Sequence, residues 1–188
     1  PGFCEYMAYY LDHSARSVPF INGGSGKDQH PTQALLDLYT MYRSFQDQGG
    51  VSGRRYAFVG DLLRGRAVRS MIFLLSQFDD VEMVFVAPDA FQIAPDLVQA
   101  LEQSRVKIQK SDNLKEVLPD VDCVYMTRIQ DEYDMSNESG QINYDLFSLF
   151  PEDLKLMKAD SIILHPLPRR SEIHPEVDLD PRAMYWRQ

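Results

Sequence analysis

The sequence predicts an α/β fold in which helices flank a doubly wound parallel sheet, and three observations support this prediction. Short apolar runs alternate with amphipathic stretches of helical spacing from residue 55 onwards. Strands that alternate with helices form parallel sheets, because each crossover returns the chain to the same edge. Polar residues of ligand-binding types follow the apolar runs, and hydrophobic residues, at 44% of the chain, suffice for a core.

The N-terminal part of the chain predicts two helices and one short strand. A short helix is expected at residues 6–10, and a strand at residues 18–21 leads into the glycine-rich loop 22–29. Pro31 suits the first turn of the next helix, whose N–H groups have no intrahelical partner, and this helix extends to about Phe45. Its apolar residues recur at helical spacing and predict a buried stripe, namely Leu35, Leu38, Tyr39, Tyr42 and Phe45.

Three glycines, Gly49, Gly50 and Gly53, mark a boundary, and the pattern is regular beyond them. Strands are predicted at residues 56–60, 81–86, 106–108, 123–126 and 161–164. Helices are predicted at residues 65–78, 95–103, 113–118, 145–149 and 152–159. Right-handed crossovers place the carboxyl ends of these strands at one edge, which is where open α/β sheets bind ligands.

Candidate site residues follow the first and fourth of these strands. Arg66 begins the helix after the first strand, where its guanidinium and the helix terminus both favour an anion. Arg128 and Gln130 follow the fourth strand and point the same way in an extended segment, so they could hold a small dicarboxylate. The alternatives are an ion pair of Arg66 with Asp61 or another acid, and a surface salt bridge at Arg128.

His30 and Gln33 lie at the N-terminal end of the helix that Pro31 begins, where they can aim an imidazole and an amide at one small polar ligand. No acid or base partner for His30 is visible in the sequence, so a hydrogen bond to a carbonyl oxygen is the simpler role. In the alternative interpretation, His30 only caps the helix and Gln33 faces solvent.

The segment His165-Pro166-Leu167-Pro168 follows the last strand. Two prolines make this loop rigid and remove two N–H donors, so the loop offers mainly carbonyl acceptors. It could accept hydrogen bonds from a substrate amine or amide, and an X-Pro bond also admits a cis peptide. The alternative is a rigid connector without a ligand.

The composition excludes several classes of function. A formal net charge of −9 argues against binding to nucleic acid or a membrane surface. Cys4 and Cys123 lie far apart and the four histidines show no metal-ligand spacing, so no metal site is expected. No apolar run could span a membrane and no signal peptide is visible, so we expect a cytoplasmic protein. The chain begins Pro-Gly-Phe without Met, so we expect a fragment or a processed chain.

Four segments occur in the order found in aspartate carbamoyltransferases, and this order is more specific than any single segment. They are QHPTQALLDLYT, GDLLRGR, MTRIQ and HPLPR, and the closing PRAMYWRQ is similar as well. The chain therefore resembles the aspartate/ornithine carbamoyltransferase family over nearly its whole length. The ornithine enzymes normally have Cys where Pro166 stands, so TRIQ together with HPLP favours aspartate.

The resemblance implies a reaction of pyrimidine biosynthesis in which carbamoyl phosphate and L-aspartate give N-carbamoyl-L-aspartate and phosphate, without a metal or cofactor. It implies that His30 polarises the carbamoyl oxygen and that Gln33 holds the carbamoyl amide. The Leu167 carbonyl, set by Pro166 and Pro168, would orient the carbamoyl NH₂. The aspartate carboxylates would be held by three residues, Arg66, Arg128 and Gln130.

The chain also departs from the family pattern. The phosphate-binding Ser-Thr-Arg-Thr loop and the lysine loop of a neighbouring subunit are absent, so we expect this chain to be inactive alone. The resemblance divides it into a remnant of the carbamoyl-phosphate domain (1–30), an interdomain helix (31–48) and an aspartate-binding domain (53–188). It implies a homotrimer in the intact protein and admits regulatory chains.

Two alternatives stay open at this point. The family usually has a basic residue at one or both of the positions of Asp131 and Tyr133, so the enzyme could use another amino-acid acceptor. The missing loops suggest a second alternative, a paralogue that binds an amino acid without catalysing transfer.

Overall fold

The computed structural model describes residues 2–26, 28–128 and 143–188. Its centre is a five-stranded sheet in which every pairing between neighbouring strands is parallel. The strands are β1 (Arg55–Val59), β2 (Glu82–Val86), β3 (Lys107–Ser111), β4 (Cys123–Met126) and β5 (Ile162–Leu164). Their order across the sheet is β3-β2-β1-β4-β5. The predicted doubly wound parallel sheet is thereby confirmed.

The α-helices also follow the predicted order. They are α1 (Phe3–Asp12), α2 (Pro31–Phe45), α3 (Arg66–Leu75), α4 (Pro95–Glu102) and α5 (Leu114–Val117). Short 3₁₀ turns occupy Gln46–Gln48, Asp89–Phe91, Leu118–Asp120, Tyr144–Phe147, Pro151–Leu156, Pro175–Leu179 and Met184–Trp186. The two segments predicted as late helices are thus 3₁₀ turns. In the part of the chain that the structure describes, no helix is both long and apolar enough to cross a membrane.

The strand order creates a crevice between β1 and β4. The chain winds outwards from β1 through β2 to β3, then returns to β4 on the other side of β1. Gly60, directly after β1, has a φ of +109°. A Cβ there would lie 2.2 Å from the Thr127 carbonyl oxygen after β4, so glycine is required for this close approach. This crevice is the topological switch point at which such sheets bind ligands.

The core lies on both faces of the sheet, as expected when helices cover a parallel sheet twice. Alternate residues of β1 point to opposite faces: Tyr56 and Phe58 pack in one apolar cluster, and Ala57 and Val59 in the other. The first cluster includes residues of α2 and α3, which therefore cover the same face. The His30 N–H at the start of α2 also donates to Ser70 Oγ on α3, at 2.9 Å.

The predicted buried stripe of α2 is largely wrong. Leu35, Tyr39 and Tyr42 are 55%, 62% and 56% exposed, and only Phe45 of the predicted stripe is fully buried. The buried face consists of Ala34, Asp37, Thr40, Met41 and Phe45. Asp37 can lie on this buried face because the Tyr125 hydroxyl of β4 donates a hydrogen bond to its carboxylate.

The predicted strand at residues 18–21 is also wrong. The segment forms no ladder with a described strand, and Val18, Phe20 and Ile21 are 47%, 39% and 78% exposed. Pro19 interrupts it and removes a donor. A β-favouring composition forms a strand only where a neighbouring strand offers pairing.

Candidate active site

A cavity of about 370 Å³ opens at the carboxyl edge of the sheet, above the crevice between β1 and β4. It is bounded by the start of α2, the start of α3 and the loop after β5. Six of the seven residues predicted for the site line it: His30, Gln33, Arg66, Arg128, Leu167 and Pro168. The seventh, Gln130, lies outside the described residues. Segments up to 138 residues apart in the sequence are thus brought to one site.

His30 both caps α2 and faces the cavity. Its Nδ1 accepts a hydrogen bond from the Gln33 backbone N–H at 3.3 Å. A neutral imidazole whose Nδ1 accepts carries its proton on Nε2, which is therefore a donor. Burial and then the nearby Arg66 guanidinium lower the pKa of His30, so the ring is neutral at pH 7. The two alternatives for His30, a cap and a hydrogen-bond donor, are compatible.

The Gln33 side chain is oriented by a carboxylate that the sequence analysis did not single out. Gln33 Nε2 donates to Asp37 Oδ1 at 2.8 Å, one helical turn further along α2. This hydrogen bond uses one of the two Nε2 hydrogens and turns the NH₂ group towards Asp37, which leaves Oε1 as an acceptor on the other side of the amide. Gln33 therefore suits a ligand that presents an N–H group.

Asp37 is fully buried and accepts hydrogen bonds from three side chains. The Tyr125 hydroxyl donates to Oδ2 at 2.5 Å, and the amides of Gln33 and Gln188 both donate to Oδ1. Burial raises the pKa of Asp37 to about 6, and the hydrogen bonds from Tyr125, Gln33 and Gln188 oppose this rise. A signal was present in the sequence, since Asp37 interrupts the apolar run Leu35-Leu36-Asp37-Leu38.

The cavity is cationic although the chain as a whole is acidic. Three arginines line it, Arg64, Arg66 and Arg128, and no carboxylate is among its described lining residues. Arg66 Nη1 donates to the Gly26 carbonyl at 3.2 Å, so the glycine-rich loop holds its guanidinium. Asp61, the partner considered for Arg66, accepts from the Arg64 backbone N–H at 3.0 Å and lies 3.7 Å from the Arg64 guanidinium.

The loop after β5 lines the cavity with three residues, Pro166, Leu167 and Pro168. The Leu167–Pro168 peptide is cis, which confirms that one X-Pro bond of this loop adopts that form. The Leu167 N–H donates to His165 Nδ1 at 2.8 Å, and His165 Nε2 in turn donates to Glu172 at 2.8 Å. The only N–H between His165 and Pro168 that could reach a ligand is therefore already used. The sequence analysis missed the role of Glu172, which no local pattern marks.

Comparison with known protein families agrees with the site's composition. A family model described as the Asp/Orn binding domain of aspartate/ornithine carbamoyltransferase matches residues 52–188. A second model, the carbamoyl-P binding domain of the same family, matches residues 5–43. The aspartate carbamoyltransferase catalytic subunit of Alkaliphilus oremlandii is 44% identical over 92% of this chain and 51% of its own length. The multifunctional protein CAD of Squalus acanthias is 40% identical over the whole chain, which covers 8% of that protein.

Solved structures give the same result for the fold. The catalytic subunit of M. jannaschii aspartate transcarbamoylase superposes with a TM-score of 0.84 at 36% identity, over 100% of this chain and 58% of that one. The Trypanosoma cruzi aspartate transcarbamoylase in complex with carbamoyl phosphate and aspartate has a TM-score of 0.81 at 33% identity, over 98% and 57%. The chain spans about half the length of most of these relatives. It belongs to the aspartate/ornithine carbamoyltransferase family.

Proposed function

We propose that this chain is the acceptor-binding part of an enzyme that transfers the carbamoyl group of carbamoyl phosphate to the amine of L-aspartate, a reaction of pyrimidine biosynthesis. The observation that carries the proposal is the convergence of His30, Gln33, Arg66, Arg128 and Leu167 on one cavity. Its donors and acceptors match a carbamoyl group, and its cations match an amino acid with two carboxylates. The solved relatives bound to carbamoyl phosphate and aspartate support the same substrates.

The carbamoyl group has one acceptor and two N–H donors, and the cavity offers the opposite set. The neutral His30 donates from Nε2 to the carbamoyl oxygen and stabilises the negative charge that develops there. Gln33 Oε1 and the Leu167 carbonyl accept from the carbamoyl NH₂. Because these groups are held in place before the reaction, they orient the carbonyl carbon towards the incoming amine.

The transfer itself needs no covalent bond to the protein. The lone pair of the aspartate amine forms a C–N bond to the carbamoyl carbon and gives a tetrahedral intermediate. The C–O bond to phosphate then breaks, the phosphate leaves with that electron pair, and the amine nitrogen transfers its proton to the departing phosphate. The products are N-carbamoyl-L-aspartate and phosphate.

The charge of the cavity favours aspartate over a basic acceptor. Arg66 and Arg128 hold the two carboxylates in this proposal, and Gln130 is assigned to the same task by the resemblance alone. An arginine presents a planar fork of donors that suits a carboxylate. The ammonium group of ornithine would instead meet like charges, which disfavours it strongly in a partly enclosed site.

The division of the chain and its assembly also remain proposals. We propose a remnant of the carbamoyl-phosphate domain at 1–30, an interdomain helix at 31–48 and an aspartate-binding domain at 53–188, and the gap between the two family matches supports a boundary near residue 50. The homotrimer, the regulatory chains and the cytoplasmic location stay predictions.

The test is carbamoyl transfer by the protein encoded by the complete reading frame that contains this chain, with aspartate and ornithine offered in parallel. We expect carbamoyl-aspartate and no citrulline, with inhibition by succinate and none by norvaline. Transfer to another amino acid would favour a different acceptor. Transfer to neither, with aspartate still bound, would favour a binding paralogue and contradict the proposal.

A further inference from the structure

The buried carboxylate of Asp37 connects two parts of the cavity that are distant in sequence. On one side, Asp37 Oδ1 accepts from Gln33 Nε2 at 2.8 Å. On the other, the same oxygen accepts from the Gln188 amide. Gln188 Oε1 then accepts from the His165 backbone N–H at 3.3 Å, where the loop that carries Leu167 begins. One oxygen atom thus contacts two amides that lead to two sides of the site.

An ionised carboxylate can only accept hydrogen bonds, so it selects the orientation of both amides. Each glutamine must turn its NH₂ group towards Asp37 and its carbonyl oxygen away from it. For Gln33 the carbonyl is the atom left for the carbamoyl NH₂, and for Gln188 the carbonyl receives the His165 N–H. With a neutral amide at position 37, either glutamine could flip and present a donor where an acceptor is needed.

We propose that Asp37 is a positioning residue for carbamoyl transfer, which orients Gln33 directly and the Leu167 loop through Gln188. This inference rests on the proposed function for its effect on rate, but its structural content is independent of it. Asp37 itself lies behind Gln33, is fully buried and is not among the residues that line the cavity. It therefore acts through other residues.

The environment of Asp37 allows its ionisation to be followed. Two glutamines, which do not titrate, interact with Asp37. Among the described residues, the Tyr125 hydroxyl and the Cys123 thiol, both on β4, are titratable groups that interact with it. Burial first, and then the charge of Asp37, raise the pKa of both groups, so each stays protonated between pH 5 and 8. Asp37 is thus the member of this cluster that changes charge near pH 6.

The kinetic test is a double-mutant cycle in the protein from the complete reading frame. We expect Asp37→Asn to lower kcat/KM by at least about tenfold in the wild-type background and by less than about threefold in the Gln33→Ala background. Gln188→Ala, which leaves Gln33 in place, should give a smaller loss than Asp37→Asn. Equal factors for Asp37→Asn in both backgrounds would show that Asp37 does not act through Gln33 and would overturn the proposal.

Asp122→Asn is the matched control. Asp122 is a carboxylate at the opposite edge of the sheet, which accepts from the Arg55 backbone N–H at 2.8 Å and from Lys158 at 3.0 Å. We expect its variant to keep kcat/KM per folded molecule within about twofold, because its partners do not reach the cavity. A tenfold loss there would mean that the loss of any hydrogen-bonded carboxylate lowers activity, which would contradict a specific role for Asp37.

A second measurement separates this inference from the proposed function. In NMR spectra of the 188-residue chain, the side-chain NH₂ signals of Gln33, assigned by their loss in Gln33→Met, should shift as the pH falls through about 6. The shift should vanish in Asp37→Asn and persist in Asp122→Asn. If the wild-type protein transfers nothing to aspartate but this titration is seen, the proposed function is contradicted and the contact between Asp37 and Gln33 is supported. If the protein is active but no titration is seen, the proposed role of Asp37 is contradicted.

Discussion

The two edges of the sheet differ in how their charged side chains are arranged. At the amino edge, Arg55 and Asp122 flank β1 and β4, and oppositely charged side chains face one another. Asp122 lies 3.0 Å from the Lys158 ammonium and 3.9 Å from the Arg54 guanidinium, and Arg55 lies 3.4 Å from Asp120. At the carboxyl edge, three arginines line a cavity whose described lining contains no carboxylate.

The difference shows how one fold separates structural from ligand-binding charge. Ion pairs at the amino edge satisfy one another and leave little to offer a ligand. Two buried carboxylates lie at the carboxyl edge: Asp61 pairs with Arg64, whereas Asp37 accepts from two amides and a hydroxyl. The described lining of the cavity is cationic in spite of the net charge of −9, and this sign favours an anionic acceptor.

Gly60→Ala should have the largest effect and is expected to damage the carboxyl edge. Its φ of +109° is strained for alanine, and the new Cβ would lie 2.2 Å from the Thr127 carbonyl oxygen. We expect the free energy of unfolding to fall by more than about 3 kcal/mol in urea titrations. The control is Gly53→Ala, at the amino edge, where φ is +70° but nothing lies within 4 Å. A loss of about 1 kcal/mol is expected there, and equal losses would contradict the close approach of β1 and β4.

Asp37 should make the free energy of unfolding depend on pH, because its pKa is raised in the folded protein. Its pKa in the folded protein is raised from 3.8 to about 6, so the folded state binds the proton more tightly than the unfolded state. The contribution to stability is therefore complete below pH 3.8 and is lost as the pH rises through about 6. This pKa shift corresponds to a contribution of roughly 3 kcal/mol at most to the free energy of unfolding. Urea unfolding between pH 4 and 7.5 should show this slope in the wild type, and an unchanged slope in Asp37→Asn would refute it.

Arg128→Ala should weaken the use of aspartate by about 2 kcal/mol, or roughly thirtyfold in kcat/KM, as for a lost charge-assisted contact. The KM for carbamoyl phosphate should change little. Arg55→Ala removes an arginine from the amino edge and should leave the kinetics for aspartate unaltered. The assignment of Arg128 would be wrong if both variants behaved alike in steady-state assays.

Gly24→Ala should have the smallest of these effects. A Cβ at Gly24 would lie 3.2 Å from the Arg66 guanidinium carbon, and φ there is +125°. The methyl group should displace Arg66 slightly and raise the KM for aspartate by about threefold, since a small shift of a positioning group reduces its effect. Gly23→Ala, one residue earlier, meets nothing within 4 Å and serves as the control. Identical KM values for the two variants would show that the loop does not hold Arg66.

Local pattern was sufficient for most elements and for much of the candidate site. The strand at Cys123–Met126 and the helix at Pro31–Phe45 have the bounds that the sequence predicted. His30, Arg66 and Leu167 were found because each lies beside a strong local signal: a proline at a helix start, a glycine before a helix, and a pair of prolines. Asp37 and Glu172 were not found, because their importance depends on partners elsewhere in the chain.

The sequence by itself determined the alternation of strands and helices, the glycine-marked boundary near residue 50, and the segments that carry ligand-binding side chains. These follow from periodicity and backbone preferences, which act over a few residues. Only the tertiary structure decided which face of α2 is buried, and that one aspartate accepts hydrogen bonds from two glutamines distant in the sequence. The reason is physical: a helix has the same internal hydrogen bonds at any rotation about its axis. The rotation is chosen by packing and by the partners that a buried polar group finds.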